Sequence, residues 1–179
     1  IHAQTTSVIY HIPVEQAADK NGADYKERRS IAKNCNFGCF YGLFPRGLQK
    51  TLKFKAGLDT TLKECEAIIA NLKSGYPGLT RWQEATKRQA AARRYSETWL
   101  GRRRYLPGII SEDWGKKSFA ERCAMNTPIQ GTAADIIKLA MGRIVAVLPE
   151  YPWIQPVLTV HDSLVFYVPE ERVEEAGRL

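Results

Sequence analysis

The chain has 179 residues, 26 of them Lys or Arg and 19 Asp or Glu, giving a net charge of +7 and a pI near 9.3. That length admits one large domain or two small ones, with roughly 70% of the unfolded surface buried if the chain is compact, and the basic balance points to a polyanionic partner. No apolar run approaches the 18 residues of a membrane-spanning helix, no signal peptide is visible and no G-x4-GK[ST] string exists, which excludes membrane and P-loop classes and favours a cytoplasmic protein. The chain begins at Ile1 without a methionine and is expected to be a piece of something longer.

Arg29, Lys33, Phe37 and Tyr41 recur every fourth residue through RRSIAKNCNFGCFYG, inside a helix predicted over residues 25–41. On a 3.6-residue helix that spacing keeps the four side chains on one slowly drifting stripe, spread over roughly 18 Å. Cations occupy one end and rings the other. A nucleoside triphosphate has the same layout, so guanidinium and ammonium suit its phosphates while Phe37 and Tyr41 suit sugar and base. Gly38 and Gly42, each just after a ring, allow another surface to approach closely.

A second helix is predicted over residues 60–72, with Asp59, Thr60 and Thr61 as N-cap candidates and Ser74-Gly75-Tyr76-Pro77-Gly78 as its breaker. A very basic helix follows over residues 79–93. From Arg81 to Arg104 eight cations stand against Glu84 and Glu97, a local surplus of six, which makes this stretch the best footprint for a phosphate backbone. Residues 97–107 carry β-favouring side chains either side of a Gly-Arg tip and read as a short hairpin or strand containing Arg102, Arg103 and Arg104. Residues 118–126 read as helix, and Pro128 sits where a new helix starts after Asn126 and Thr127, running to about residue 148. Residues 157–160 and 164–168 are two apolar strands separated by His161-Asp162-Ser163, an antiparallel hairpin whose tip places one carboxylate where it can project into a cleft. Pro169, Glu170 and Glu171 open a last helix. Cys35, Cys39, Cys65 and Cys123 lack zinc-ligand spacing and are expected to be buried, reduced thiols.

The pattern Arg-x3-Lys-x3-Phe-x2-Phe-Tyr-Gly closely resembles motif B of the fingers domain of the family A DNA polymerases, the family of bacterial DNA polymerase I and related phage enzymes. Thr159-Val160-His161-Asp162 resembles the palm motif C of that family, in which the Asp binds divalent metal and the His lies near the primer end. Many members have Glu at the next position, and here Ser163 supplies no charge. Asn126-Thr127-Pro128-Ile129-Gln130-Gly131-Thr132-Ala133-Ala134-Asp135 resembles a further family-specific stretch, through which Arg122, Asn126 and Gln130 are read as minor-groove contacts. His2, in Ile1-His2-Ala3-Gln4-Thr5-Thr6, resembles the fingers histidine that helps hold the triphosphate.

The resemblance implies an α+β, mostly helical fold. Fingers helices over residues 1–95 would be followed by the later part of an antiparallel palm sheet over 96–179, in a right-hand polymerase. It implies a DNA-directed DNA polymerase that takes dNTPs and primer-template DNA and uses two Mg²⁺ ions. Asp162 and Lys33 are then the catalytic candidates, with Asp162 a metal ligand. His2, Arg29, Lys33, Phe37 and Tyr41 bind substrate, and Arg122, Asn126, Gln130, His161, Arg102, Arg103 and Arg104 bind DNA. The first catalytic Asp of the family precedes the His2 region, so the chain alone is expected to be inactive. A single-subunit RNA polymerase, which shares the Arg-x3-Lys-x7-Tyr-Gly skeleton, and a basic helical module that binds nucleic acid without catalysis are the competing readings.

Overall fold

A computed structural model describes all 179 residues, from Ile1 to Leu179. The chain is mostly helical, with two separate two-stranded antiparallel hairpins. Over residues 1–75, α1 (His2–Tyr10), α2 (Val14–Ala18), α3 (Tyr25–Gly38), α4 (Pro45–Thr51) and α5 (Leu62–Gly75) surround a core. Ile9, Ile31, Ala32, Cys35, Leu48, Leu52, Cys65, Ile68, Ile69 and Leu72 build that core. The apolar positions 31, 32 and 35 of α3 fall on the face opposite Arg29, Lys33 and Phe37, so burying one face sends the other to solvent.

Of the three cap candidates before α5, Thr61 does the capping. Its hydroxyl accepts from the Glu64 N–H at 3.2 Å, and the Glu64 carboxylate accepts from the Thr61 N–H at 2.7 Å. Pro77 then begins α6 (Pro77–Arg93), where its missing N–H costs nothing, and Arg94 ends the helix in the left-handed region at φ 65°.

A second, smaller core joins Ala90 of α6 to Leu106, Ile109, Ala120, Cys123 and Ala124. It is closed on one side by the predicted hairpin, β1 (Tyr95–Glu97) against β2 (Arg103–Tyr105), whose tip turns at Gly101 with φ 83°. On the other side lies α7 (Trp114–Asn126). All four cysteines are free and buried. No helix is long and apolar enough to cross a membrane.

Helix ends shift by two to four residues from the sequence expectation at α5, α6 and α7 (Trp114–Asn126), and two larger departures shape the site. The stripe-bearing helix stops at Gly38, and Cys39–Tyr41 tightens into a 3-10 turn that ends at Gly42 with φ 82°. Leu43 folds back over Gly38, where a Cβ would lie 2.4 Å from its Cδ2, and the chain reverses at Gly42, whose left-handed backbone favours glycine. Nor does a new helix start after Asn126 and Thr127. Both residues are helical, and the path runs from α7 through a π-turn at Thr127–Gly131 into α8 (Thr132–Val147). The cause is Pro128, which has no N–H and would crowd the carbonyl four residues back; the wider turn relieves it. That carbonyl, Ala124 O, accepts instead from Ser96 Oγ at 2.9 Å, and Thr127 Oγ1 donates to Cys123 O at 2.8 Å.

The last third is open. β3 (Gln155–Val160) pairs with β4 (Ser163–Tyr167) through a two-residue turn at His161 and Asp162, with Ser163 already in the ladder opposite Val160. Pro169 is followed by a short 3-10 turn and α9 (Val173–Ala176). All of β3 is exposed, and α8 buries only Asp135. The accessible surface is 12195 Å² for 20.2 kDa, against about 8,800 Å² for a compact monomer of that mass. Burial is therefore nearer to about 60% than to the 70% expected of a compact chain. The reason is visible in α8 and the hairpin, where Ile136, Leu139, Val145, Val157, Leu158, Val160 and Val165 are exposed.

Candidate nucleotide and nucleic-acid site

Arg29, Lys33 and Phe37 lie along the exposed face of α3, as their spacing requires, and Phe37 is 66% exposed. Neither cation has a carboxylate partner, whereas their neighbour Arg28 is paired with Asp24 at 2.9 Å. Two adjacent uncompensated cations on one helix face form a ready seat for an anion. Tyr41 departs from the stripe because the 3-10 turn advances three residues per turn rather than 3.6. It is half-buried, and its hydroxyl accepts from Gln130 Nε2 at 3.0 Å. The first and third sequence blocks thus meet through one hydrogen bond.

The broken end of α3 is held from α6. Gln83 is 9% exposed, and its Nε2 donates at 2.8 Å both to Phe40 O and to Cys39 O, which also accepts from the Gly42 N–H at 3.1 Å.

His2, the first residue of α1, packs against α3. Its Nδ1 accepts from Asn36 Nδ2 at 2.9 Å, and the Asn36 Oδ1 accepts from Thr5 Oγ1 at 2.9 Å. Burial first, then the charges of Arg29 and Lys33, hold the His2 imidazole below its ordinary value. His2, Arg29 and Lys33 therefore share one electrostatic neighbourhood, which brings together three of the substrate candidates.

Arg122 donates to Ser118 Oγ at 2.7 Å and lines a cleft with Gly42, Gln83, Lys87 and Met125. Asn126 is half-buried at the end of α7, and Gln130 is exposed in the π-turn. Of the three consecutive arginines, Arg102 has a structural duty. Its Nε donates to Asp135 Oδ1 at 2.6 Å and its Nη2 to Gly131 O at 3.1 Å, pinning the hairpin to the start of α8. Asp135 is 7% exposed, and the Thr98 hydroxyl and the Arg102 guanidinium hold its carboxyl below the usual range. Arg103 lies 4.7 Å from the Tyr95 ring and 3.6 Å from Glu97, while Arg104 makes no ion pair.

His161 and Asp162 form the exposed turn between β3 and β4. His161 sits at φ 53°, a left-handed conformation that costs a non-glycine residue about 1–2 kcal/mol. Asp162 is exposed at this turn with Ser163 beside it, and no three His, Cys, Asp or Glu side chains of residues 1–179 gather where they could hold a metal ion.

Sequence reasoning missed Asn36, Thr5, Gln83, Ser96 and Asp135. The signal for Asn36 was its type: asparagine is disfavoured inside helices unless its amide is used, and position 36 is three residues from Lys33 on α3. Gln83, Ser96 and Asp135 act across large sequence separations and left no local signal.

The sequence profile of DNA polymerase family A matches residues 1–179. The DNA polymerase I of Geobacillus stearothermophilus is 38% identical over 180 residues, covering 100% of this chain and 19% of the relative. A thermostable DNA polymerase I of Thermus filiformis is likewise 38% identical, over 184 residues, with 20% of the relative covered. Among solved structures, the POL domain of Pol1 from M. smegmatis, in complex with DNA primer-template and dNTP, superposes with a TM-score of 0.79 at 31% identity. That match covers 99% of this chain and 29% of the other. The chain thus spans about a fifth of the curated relatives it matches. With the profile matching from end to end, and the stripe, His2 and the His-Asp hairpin standing in the order that the sequence resemblance requires, the chain belongs to DNA polymerase family A.

Proposed function

We propose that this chain is the fingers and later palm of a DNA-directed DNA polymerase that extends a primer 3′ end with dNTPs. Residues 1–95 form the fingers part and 96–179 the palm part. The observation that carries the reading is the exposed, unpaired Arg29 and Lys33 beside His2, with the bare ring of Phe37 next along the helix. Arg29 and Lys33 bind the triphosphate and neutralise the charge that builds on it as the bond to the leaving pyrophosphate breaks, the electrostatic part of phosphoryl transfer. His2 donates a hydrogen bond to the same phosphates. Phe37 lies against the sugar, and Tyr41, tethered by Gln130, lies toward the base. Arg122, Asn126 and Gln130 face the minor groove of the primer-template, His161 the primer end, and Arg103 and Arg104 the backbone. Arg102 serves that surface through Asp135 as well as by its own charge.

Family A membership supports a divalent-metal requirement. We assign Asp162 as one ligand of a Mg²⁺ pair. The side chains within residues 1–179 do not complete such a centre, so its other oxygens come from elsewhere in the enzyme. The competing readings, an RNA polymerase and a non-catalytic basic module, lose their footing with the family match.

The test is primer extension by the full polymerase that carries this segment. Asp162→Asn is expected to abolish extension while leaving primer-template binding within a fewfold. Full activity in that variant would remove Asp162 from the chemistry.

A further inference from the structure

We infer that Asn36 is a positioning residue for His2, fixing which ring nitrogen carries the proton and so which nitrogen meets the triphosphate. The inference rests on the reading above that His2 holds phosphate. It is carried by a chain of hydrogen bonds joining three elements. Tyr76, between α5 and α6, has its hydroxyl 3.4 Å from Thr5 Oγ1 on α1. Thr5 is 1% exposed, and its one hydroxyl proton faces two acceptors, Ile1 O at 3.2 Å and Asn36 Oδ1 at 2.9 Å; the shorter contact takes the proton to Asn36, whose Nδ2 in turn stands 2.9 Å from His2 Nδ1.

An amide has one acceptor end and one donor end. With its oxygen taken by the Thr5 hydroxyl, its NH₂ end faces the imidazole, and Nδ1 must then be the acceptor. In the neutral ring the proton is left on Nε2, which makes no hydrogen bond within the chain and lies free to donate. A cationic imidazole would carry a proton at Nδ1 as well, pointing a donor at a donor. The arrangement therefore works against protonation, in the same sense as the burial of the ring and the charges of Arg29 and Lys33. His2 then acts as a neutral Nε2–H donor to a phosphate oxygen, and the cationic work is left to Arg29 and Lys33.

Asn36 reaches His2 because of where it lies on α3. It is seven residues after Arg29 and three after Lys33, on the edge of the same face that meets α1. The register that presents the two cations to solvent thus also delivers the amide to the histidine.

The decisive experiment uses the full polymerase and three variants, Asn36→Asp, Asn36→Ala and His2→Ala. Histidine-¹⁵N spectra, with His2 assigned by difference against His2→Ala, read the proton directly. The expected wild-type signal is an unprotonated Nδ1 and a protonated Nε2, and a wild-type ring protonated at Nδ1 would overturn the inference whatever the kinetics show. Asn36→Asp keeps the shape but offers an acceptor, so it should draw a proton to Nδ1 and raise the His2 pKa. The KM for dNTP should then rise with pH through that new ionisation, while the wild-type KM stays flat from about pH 6.5 to 8. Asn36→Ala should raise KM about 3–10-fold with kcat within about twofold, the signature of a lost ground-state orientation. Wild-type KM and wild-type pH profiles in both Asn36 variants would overturn the inference. If instead His2→Ala leaves KM unchanged, the phosphate role of His2 falls, and the ¹⁵N spectra still decide what Asn36 does.

Discussion

Lys33 and Phe37 differ in what they risk. Lys33 is exposed and unpaired, so its removal should cost little stability and act on substrate alone. Lys33→Ala should lower kcat/KM for dNTP by about 2–3 kcal/mol in transition-state stabilisation, or about 30- to 150-fold, read by single-nucleotide incorporation. Phe37→Tyr, which adds a hydroxyl where the proposed function puts the sugar, should raise the use of dideoxynucleotides relative to dNTPs. A mutant that discriminates as the wild type does would place Phe37 away from the sugar. His2 carries a pH signature. Its value in the fold lies below the ordinary 6.5, so the folded state favours the neutral ring. The stability it contributes is complete above pH 6.5 and is lost as pH falls through the lower folded value. Thermal midpoints between pH 7.5 and 5 should therefore fall less in His2→Gln than in the wild type.

Among the elements, the end of α3 and the β1–β2 hairpin are the informative pair. Gly42 stands at φ 82°, and a Cβ there would lie 2.6 Å from the Met125 methyl. Gly42→Ala should destabilise the enzyme by about 1–2 kcal/mol in urea unfolding and loosen Tyr41 from Gln130, because the left-handed backbone is strained by a Cβ and the Met125 side chain must move aside. The hairpin separates two kinds of arginine. Arg104 makes no ion pair, so Arg104→Ala should reduce the slope of log affinity for duplex DNA against log salt by about one, with melting unchanged. Arg102 is bonded to Asp135 and Gly131, so Arg102→Ala should lower the melting temperature first and DNA binding second. Equal effects in the two variants would mean that the Asp135 contact does not anchor the hairpin.

At the scale of the molecule, the surplus of cations from Arg81 to Arg104 predicts weak, sequence-independent DNA binding that falls steeply with salt. Titration at two salt concentrations measures it. The uncovered apolar face of α8 and β3 predicts a second property. Residues 1–179 expressed alone should self-associate with rising concentration in sedimentation velocity, because contiguous exposed Ile, Leu and Val seek cover. The same segment should extend no primer at any Mg²⁺ concentration, since one carboxylate at a turn does not hold a Mg²⁺ pair.

Local periodicity carried α3, α5, α6, α7 and α8, both hairpins and the outward stripe, because a 3.6-residue or 2-residue repeat reports directly on which face a neighbour can bury, while the short helices α1, α2 and α4 were not placed by it. The residues proposed to face a ligand were legible too, since Arg29, Lys33, Phe37, His161 and Asp162 are exposed and packing does not account for their types. The residues behind them were not. Asn36 against His2, Gln83 on the carbonyls of Cys39 and Phe40, Ser96 on the carbonyl that Pro128 releases, and Asp135 holding Arg102 all act across 28 to 44 residues of sequence. Their partners are chosen by which helices pack together, and so is the fate of Tyr41, which a uniform helix would leave on the stripe. Two glycines and one proline break the regular geometry, and only in the packed chain is it settled which polar groups those breaks leave free and which side chain reaches them.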